Sequence, residues 1–305
     1  MKIEELYYSI PDKPVDEKNF DLEKWRQEKP MDYLMAMYLI SRALNRDEVF
    51  RNIYQVTRLY IPDTLYKYFS LSKDSAWNEK KFQTLSQQKV YMSAIGDFND
   101  PFDGKAFYYK PEELKKHKRL EPHGGRLVDD FTAYVRGTSL TANGVNSMPM
   151  WAHYASNHSG FCVSYDMKCN AQLSGCTFPV QYTDQRLDVT SLMSSQAAML
   201  INEIETQSQM GHKKIIINDL TTVYMPLLLF NIKHSSWSYE REFRCTTGST
   251  APGMPYLAAI PKEIFVGLNC SSENIKEIEI IAGNLQVPVH KMKFDEYAPT
   301  FKLNI

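Results

Sequence analysis

The sequence has no apolar run approaching the roughly 20 residues that cross a bilayer. Its longest, at 31–40 and 224–232, fall far short, and the second contains Pro226, so no membrane-spanning helix is expected. Neither charge is in excess: 35 Lys and Arg stand against 36 Asp and Glu, a net charge of −1. No global field draws in nucleic acid or an anionic membrane, and a phosphate-bearing ligand must meet a local site. The five cysteines form no paired framework, and the opening stretch MKIEELYYSIPDKP lacks the apolar core of a secretory signal; a reducing, cytoplasmic setting is expected. The patterns GxxxxGK(S/T), strand-bound GxGxxG, HExxH and GxSxG are missing, which excludes the common ATPase, dinucleotide oxidoreductase, zinc protease and α/β-hydrolase sites. Cys162, Cys169 and Cys176 recur every seven residues downstream of His153 and His158. Without a close CxxC pair they read as core thiols, and no metal is expected.

What is present is an ordinary globular composition: 305 residues, 43% hydrophobic and 23% charged, enough for one large domain or a domain with an appendage. Residues 22–60 are rich in helix formers, with Leu34, Met37, Tyr38 and Leu44 at helical spacing and Pro30 suited to a helix start. Two helices are expected there. Ile61-Pro62-Asp63 breaks the pattern, because the residue before a proline is pushed out of the α region; the expected division is a helical extension over 1–63 and an α+β domain over 64–305. Beyond the break, short β-prone runs at 65–69, 89–93, 160–166, 178–182 and 239–247 alternate with helical segments at 77–87, 190–210 and 213–234 and a late helix opening at Ser271-Ser272-Glu273. That grouping predicts an α+β fold, a mixed or antiparallel sheet with packed helices. The basic stretch 110–126 reads as a solvated helix end and loop.

Three clusters are dense in chemically capable residues. In FNDPFD (98–103), Asn and Asp can cap local backbone while two aromatics wedge the segment down. In MWAHYASNHSG (150–160), Trp151, His153 and Tyr154 fall within one turn, suiting either core packing or stacking on a flat ring. In 233–245, strand alternation would put Trp237, Tyr239, Arg241 and Phe243 on one face and Ser238, Glu240, Glu242 and Arg244 on the other. Two carboxylates and a guanidinium would then stand side by side, either as an ion-pair row or as a ribose and phosphate site.

The segments LYKYFS (65–70), FNDPFD (98–103), MWAHYASNHSGFCVSYD (150–166) and WSYEREFR (237–244) resemble, in order and spacing, a widespread and largely bacterial family of unknown function. Its members share LYKYxS, FNDPFD, MWAHYAxxHxGFCVxYD and WxYExEWR motifs, with Phe243 standing here where tryptophan or tyrosine is common. A more distant similarity is to the ADP-ribosyltransferase fold, especially bacterial toxins that modify DNA bases. That resemblance implies Lys67 and Tyr68 on a first strand, Lys67 in place of the usual His or Arg, then Tyr91 and Ser93 on a second and Glu242 beside Glu240 on a late one. It further implies NAD as substrate, with Tyr68, Tyr91, Trp151 and Tyr154 clamping nicotinamide, Lys67 and Arg244 holding pyrophosphate, and Glu242, Glu240 and His153 as catalytic groups. Glu242 would bond the nicotinamide ribose and stabilise an oxocarbenium-like state. ADP-ribosyl transfer or NAD hydrolysis by a toxin or antiphage effector is thus the leading expectation, with a protein, DNA, RNA or water acceptor and a protein partner reached through the N-terminal helices. A non-catalytic binding or regulatory module of a defence or stress system, and a metal-independent nuclease using His153 and His158, are the alternatives.

Overall fold

The computed structural model of the chain describes residues 21–72, 75–126, 135–216, 220–248, 255–300 and 302–304. Residues 1–20, the polar start of the expected extension, lie outside the described residues.

Among the described residues three helices, where two were expected over 22–60, precede the break: α1 (Leu22–Glu28), α2 (Tyr33–Arg42) and α3 (Arg46–Arg58). Each starts at a short polar residue whose side chain accepts from the first turn, Asp21 from Lys24, Asp32 from Met35 and Asn45 from Glu48. Such caps supply acceptors for N–H groups that have none inside the helix. Pro30 therefore lies in a connection rather than at a helix start. Leu44, expected on the apolar face, is fully exposed between α2 and α3, while Tyr33, Ala36, Met37 and Ile40 form the buried face of α2.

After the break come β1 (Thr64–Phe69), α4 (Ser75–Ser86), β2 (Lys89–Tyr91), β3 (Ser93–Ala94), β4 (Phe107–Tyr108) and α5 (Pro111–Leu114). There follow β5 (Val135–Thr141), α6 (Met148–Tyr154), β6 (Phe161–Asp166), α7 (Ala171–Gly175), β7 (Thr177–Pro179), β8 (Gln181–Thr183), β9 (Leu187–Asp188), α8 (Thr190–Gln209) and α9 (Leu220–Leu229). The chain continues through β10 (Ile232–His234), β11 (Glu242–Gly248), β12 (Tyr256–Ala258), β13 (Glu263–Val266), α10 (Ser272–Leu285) and β14 (Val289–Lys291). The helix expected over 213–234 is shorter than that, ending at Leu229, so Lys233 and His234 belong to a strand. The late helix opens as its sequence suggests, with the Ser271 hydroxyl accepting from Asn274.

The fold is α+β. Eight strands form a mixed, mostly antiparallel sheet in the order β14-β13-β6-β1-β5-β11-β7, with β3 also on β5; within it only β13 and β14 run parallel among the described residues. One edge of β5 is shared. β1 meets it at Tyr66 opposite Thr141, and β3 meets it at Ser93 opposite Gly137. Between these points β1 and β3 diverge, and the Lys67 ammonium reaches into the opening to donate to the Ser139 carbonyl at 3.3 Å. One apolar core packs the N-terminal helices, through Trp25, Tyr33, Met37 and Ile53, against Leu192 of α8 and Leu228 of α9. Another lies between the sheet and helices α4 and α10. No helix among the described residues is long and apolar enough to cross a membrane.

Ser156, Asn157 and His158 all have positive φ, a left-handed turn between α6 and β6. Two glycines let other backbone approach it. A Cβ on Gly160 would stand 2.0 Å from the Phe69 carbonyl, and one on Gly267 would stand 2.2 Å from the His158 carbonyl. Overpacking against immovable backbone is costly. Gly160→Ala and Gly267→Ala should each lower unfolding free energy by about 3 kcal/mol in urea titrations, while Gly96→Ala, whose Cβ meets nothing within 4 Å, should stay within about 0.5 kcal/mol.

Candidate functional site

The four motif segments converge where the β5 edge opens. A cavity of about 80 Å³ is lined by Tyr66, Lys67 and Tyr68 of β1, Phe98 and Asn99, 139–141 of β5, Met150 and Tyr154 of α6, and Lys233, Glu240 and Glu242. Its floor is a set of buried charges.

Residues 235–240 are not a strand. His234 accepts from the Ser236 N–H and starts a 3-10 turn, and Arg241, at φ 46°, closes it in the left-handed region. The expected alternation over 237–244 therefore fails: Trp237, Tyr239, Arg241 and Phe243 do not share a strand face. The turn nevertheless brings Glu240 back to Glu242, the first residue of β11, because the Lys233 ammonium clasps both, at 2.7 Å and 3.1 Å. The Thr141 hydroxyl holds the turn in place by donating to the Glu240 carbonyl at 2.6 Å.

Glu242 is saturated. Its Oε1 accepts from the Ser139 hydroxyl at 2.5 Å and Arg244 Nε at 2.8 Å, and its Oε2 from Lys233 and from Arg244 Nη2 at 3.2 Å. A carboxylate has about four lone-pair sites, so none is left for a ribose hydroxyl. Arg244 is completely buried; it also donates to Asp103 at 2.6 Å and to the Phe230 carbonyl at 2.8 Å, and lies against the Phe98 and Phe230 rings. Glu240 is less committed, accepting from Lys233 on one oxygen and from the Tyr154 hydroxyl on the other.

The environments drive the two glutamates apart. Burial would raise Glu242, but the Arg244 and Lys233 charges overcome it and hold the carboxyl at about 2. Burial and the neighbouring Glu242 charge raise Glu240, and Lys233 only partly offsets them. Burial likewise raises Asp103 despite Arg244, and desolvation brings Lys67 down to about 8 against the pull of Glu242. Tyr154 is raised by burial and by its bond to Glu240, so it stays a hydroxyl donor.

Of the residues singled out in the sequence, Lys67, Tyr68, Tyr154, Glu240 and Glu242 line the cavity and Arg244 braces its floor. Trp151 is wholly buried, donating to the Val145 carbonyl and meeting Tyr68 edge-on. It supports the wall without reaching the cavity. His153 is exposed near Tyr239, and His158 stacks on Trp151. Tyr91 is exposed and packs against Tyr256 across β2 and β12, and Ser93 lies on β3 opposite Gly137; neither lines the cavity. Lys233 and Asp103, which lie in the sequence clusters without having been assigned a role, and Ser139, which lies outside them, complete the charged group. Among the described residues no three His, Cys, Asp or Glu side chains are grouped to hold a metal ion.

Residues 150–245, which span α6 to the start of β11, match the model of a family described as a protein of unknown function (DUF2971). This stretch carries a DUF2971 domain. No curated protein and no solved structure matches the chain. The domain supplies Tyr154, Lys233, Glu240, Glu242 and Arg244, while β1, the 98–103 segment and β5 supply the rest of the wall.

Removing one member of a buried ion pair leaves its partner uncompensated, at a cost of about 3–5 kcal/mol. Lys233→Met should show that loss at pH 7 in urea unfolding, and a smaller loss as falling pH protonates Glu240, whose affinity for protons is raised. In the wild type, Glu242 binds protons more weakly folded than unfolded. Its contribution, about 3 kcal/mol, is therefore present above its ordinary value of 4.5 and lost as pH falls towards 2; Glu242→Gln should flatten the stability curve in that window.

Proposed function

We propose that the protein cleaves the nicotinamide glycosidic bond of NAD and passes the ADP-ribosyl group to water or to a macromolecular acceptor, with the reacting carbon above Glu240. The supporting observation is the pair of adjacent glutamates whose environments push their proton affinities in opposite directions at the floor of one aromatic-walled cavity, the pattern that assigns acid/base and electrostatic roles. Glu242, ionised at neutral pH and fully bonded, holds Lys233 and Arg244 in place, which leaves Glu240 as the carboxylate that faces the oxocarbenium-like state. Glu240 retains free lone pairs. It orients the ribose and accepts the proton of the incoming hydroxyl or amine as nicotinamide leaves with the bonding electrons.

A cavity of about 80 Å³ has room for only a few waters at about 30 Å³ each. It takes the reacting end alone. The rest of the dinucleotide requires the adjoining cleft of about 550 Å³, which shares Lys233 and is lined by Phe102, Arg186, His234 and Trp237. A second reading, a non-catalytic ligand-binding module, is favoured by the saturation of Glu242, which suits a structural network as well as an electrostatic one.

Incubation of the purified chain with NAD, followed by chromatography of nicotinamide, should show release that Glu240→Gln reduces by about 10²–10³-fold. The same variant should keep or raise the melting temperature, since the Gln carbonyl still accepts from Lys233, which Glu242 continues to neutralise, its NH2 can donate to the Tyr154 oxygen, and the repulsion of Glu242 is removed. Release of no nicotinamide by the wild type, with or without DNA, RNA or protein acceptors, would overturn the enzymatic reading. An NAD-induced rise in melting temperature without turnover would support the binding module instead.

A further inference from the structure

Away from the cavity, the end of α3 places a cation in an unusual setting. The two terminal nitrogens of Arg58 donate to the carbonyls of Ser174 and Thr177, so the guanidinium straddles the segment that carries Cys176. It rests on the Tyr54 ring at 4.5 Å and faces the Phe178 ring at 5.4 Å. Its Nε is buried with no acceptor among the described residues. The ionisable groups that face it are the phenols of Tyr54 and Tyr33 and the thiols of Cys176 and Cys245, with no carboxylate among them. A half-buried cation with no carboxylate partner among the described residues favours ionisation of whatever acid lies nearest.

Cys176 and Cys245 are the two thiols there. Cys245 is fully buried on β11 opposite Thr177, and the half-buried Cys176 packs against the same apolar cluster. The Thr246 N–H donates to the Cys176 carbonyl at 2.8 Å, which ties the two chain segments side by side. The neighbouring Cys245 thiol, outweighing burial, and then the Arg58 charge bring Cys176 down to about 7. Cys245, beside the Cys176 sulfur and buried, is pushed well above its ordinary value and keeps its proton. Burial also raises Cys162, and takes Cys270 to about 11. A reachable, ionisable sulfur against a buried, protonated one is the arrangement of an attacking and a resolving cysteine.

We propose that Cys176 and Cys245 form a peroxide-reactive thiol pair, with Cys176 attacking and Cys245 resolving. The Cys176 thiolate attacks one oxygen of hydrogen peroxide; the O–O bond breaks, hydroxide leaves and takes a proton to become water, and Cys176 becomes a sulfenic acid. The Cys245 sulfur, releasing its proton, then displaces hydroxide from Cys176 to form the S–S bond and a second water. Two thiols lose two hydrogens and one peroxide is reduced to two waters. A dithiol reductant reverses the step.

The test treats the reduced full chain with equimolar hydrogen peroxide at pH 7, blocks free thiols and maps peptides without reduction. The expected product joins the Cys176 and Cys245 peptides with a mass lower by two hydrogens, and dithiothreitol abolishes it. In Cys245→Ser, Cys176 should instead accumulate as a sulfenic acid trapped by dimedone, and alkylation of Cys176 in the wild type should accelerate with a midpoint near pH 7. Oxidation of the exposed Cys169 as fast as Cys176, or oxidation of Cys176 without a bond to Cys245, would overturn the proposal.

Discussion

Burial of the Arg244 guanidinium is the constraint on which the centre of this structure depends. A fixed cation with no exposed surface is tolerable only if every donor is answered and its charge is opposed at close range. Glu242 answers from two residues away on β11, Asp103 from the FNDPFD segment and the Phe230 carbonyl from the end of α9. The FNDPFD segment and the end of α9 are thereby both tied to one side chain of β11. The Phe98 and Phe230 rings against the guanidinium exclude water, which strengthens each of these bonds and makes the loss of any one more damaging.

That same requirement creates the asymmetry of the cavity. Because Glu242 is consumed by Arg244, Lys233 and Ser139, the second glutamate must share Lys233, and the shared ammonium cannot fully neutralise it. Glu240 is left as the carboxylate with unused lone pairs. It faces an opening that exists because β1 and β3 divide the edge of β5 rather than running along it. Sheet topology and charge pairing thus converge on one spot. Tyr154 and Tyr68 wall it, each anchored by its hydroxyl, to Glu240 and to the Gly144 carbonyl respectively.

Much of this was legible from the chain. The α+β class followed from short β-prone runs alternating with helices, and the Ser271 cap marked α10 to the residue. The density of Trp, Tyr, Glu and Arg in three segments pointed to the region where they meet. What eluded the sequence is tertiary. Asp32 and Asn45 cap separate helices inside what reads as a continuous helix-rich stretch, so two helices were expected where three occur. The 237–244 segment alternates well enough to pass for a strand, yet the His234 cap and the left-handed Arg241 turn its first half into a 3-10 helix. Lys233 follows an apolar run that suits a helix, and only its pairing beside β8 reveals it as a strand residue. Tyr91 and Ser93 sit on strands whose partners, β12 and the far end of β5, are set by long-range register rather than local pattern.

The most direct measurement is a carboxyl carbon NMR titration of Glu240 and Glu242 in the intact protein, assigned with the Glu240→Gln variant. The Glu242 carboxyl is expected to stay ionised well below the ordinary value of 4.5 while that of Glu240 takes its proton above it. Two titrations coinciding near the ordinary value would instead show that Arg244 and Lys233 do not divide the pair.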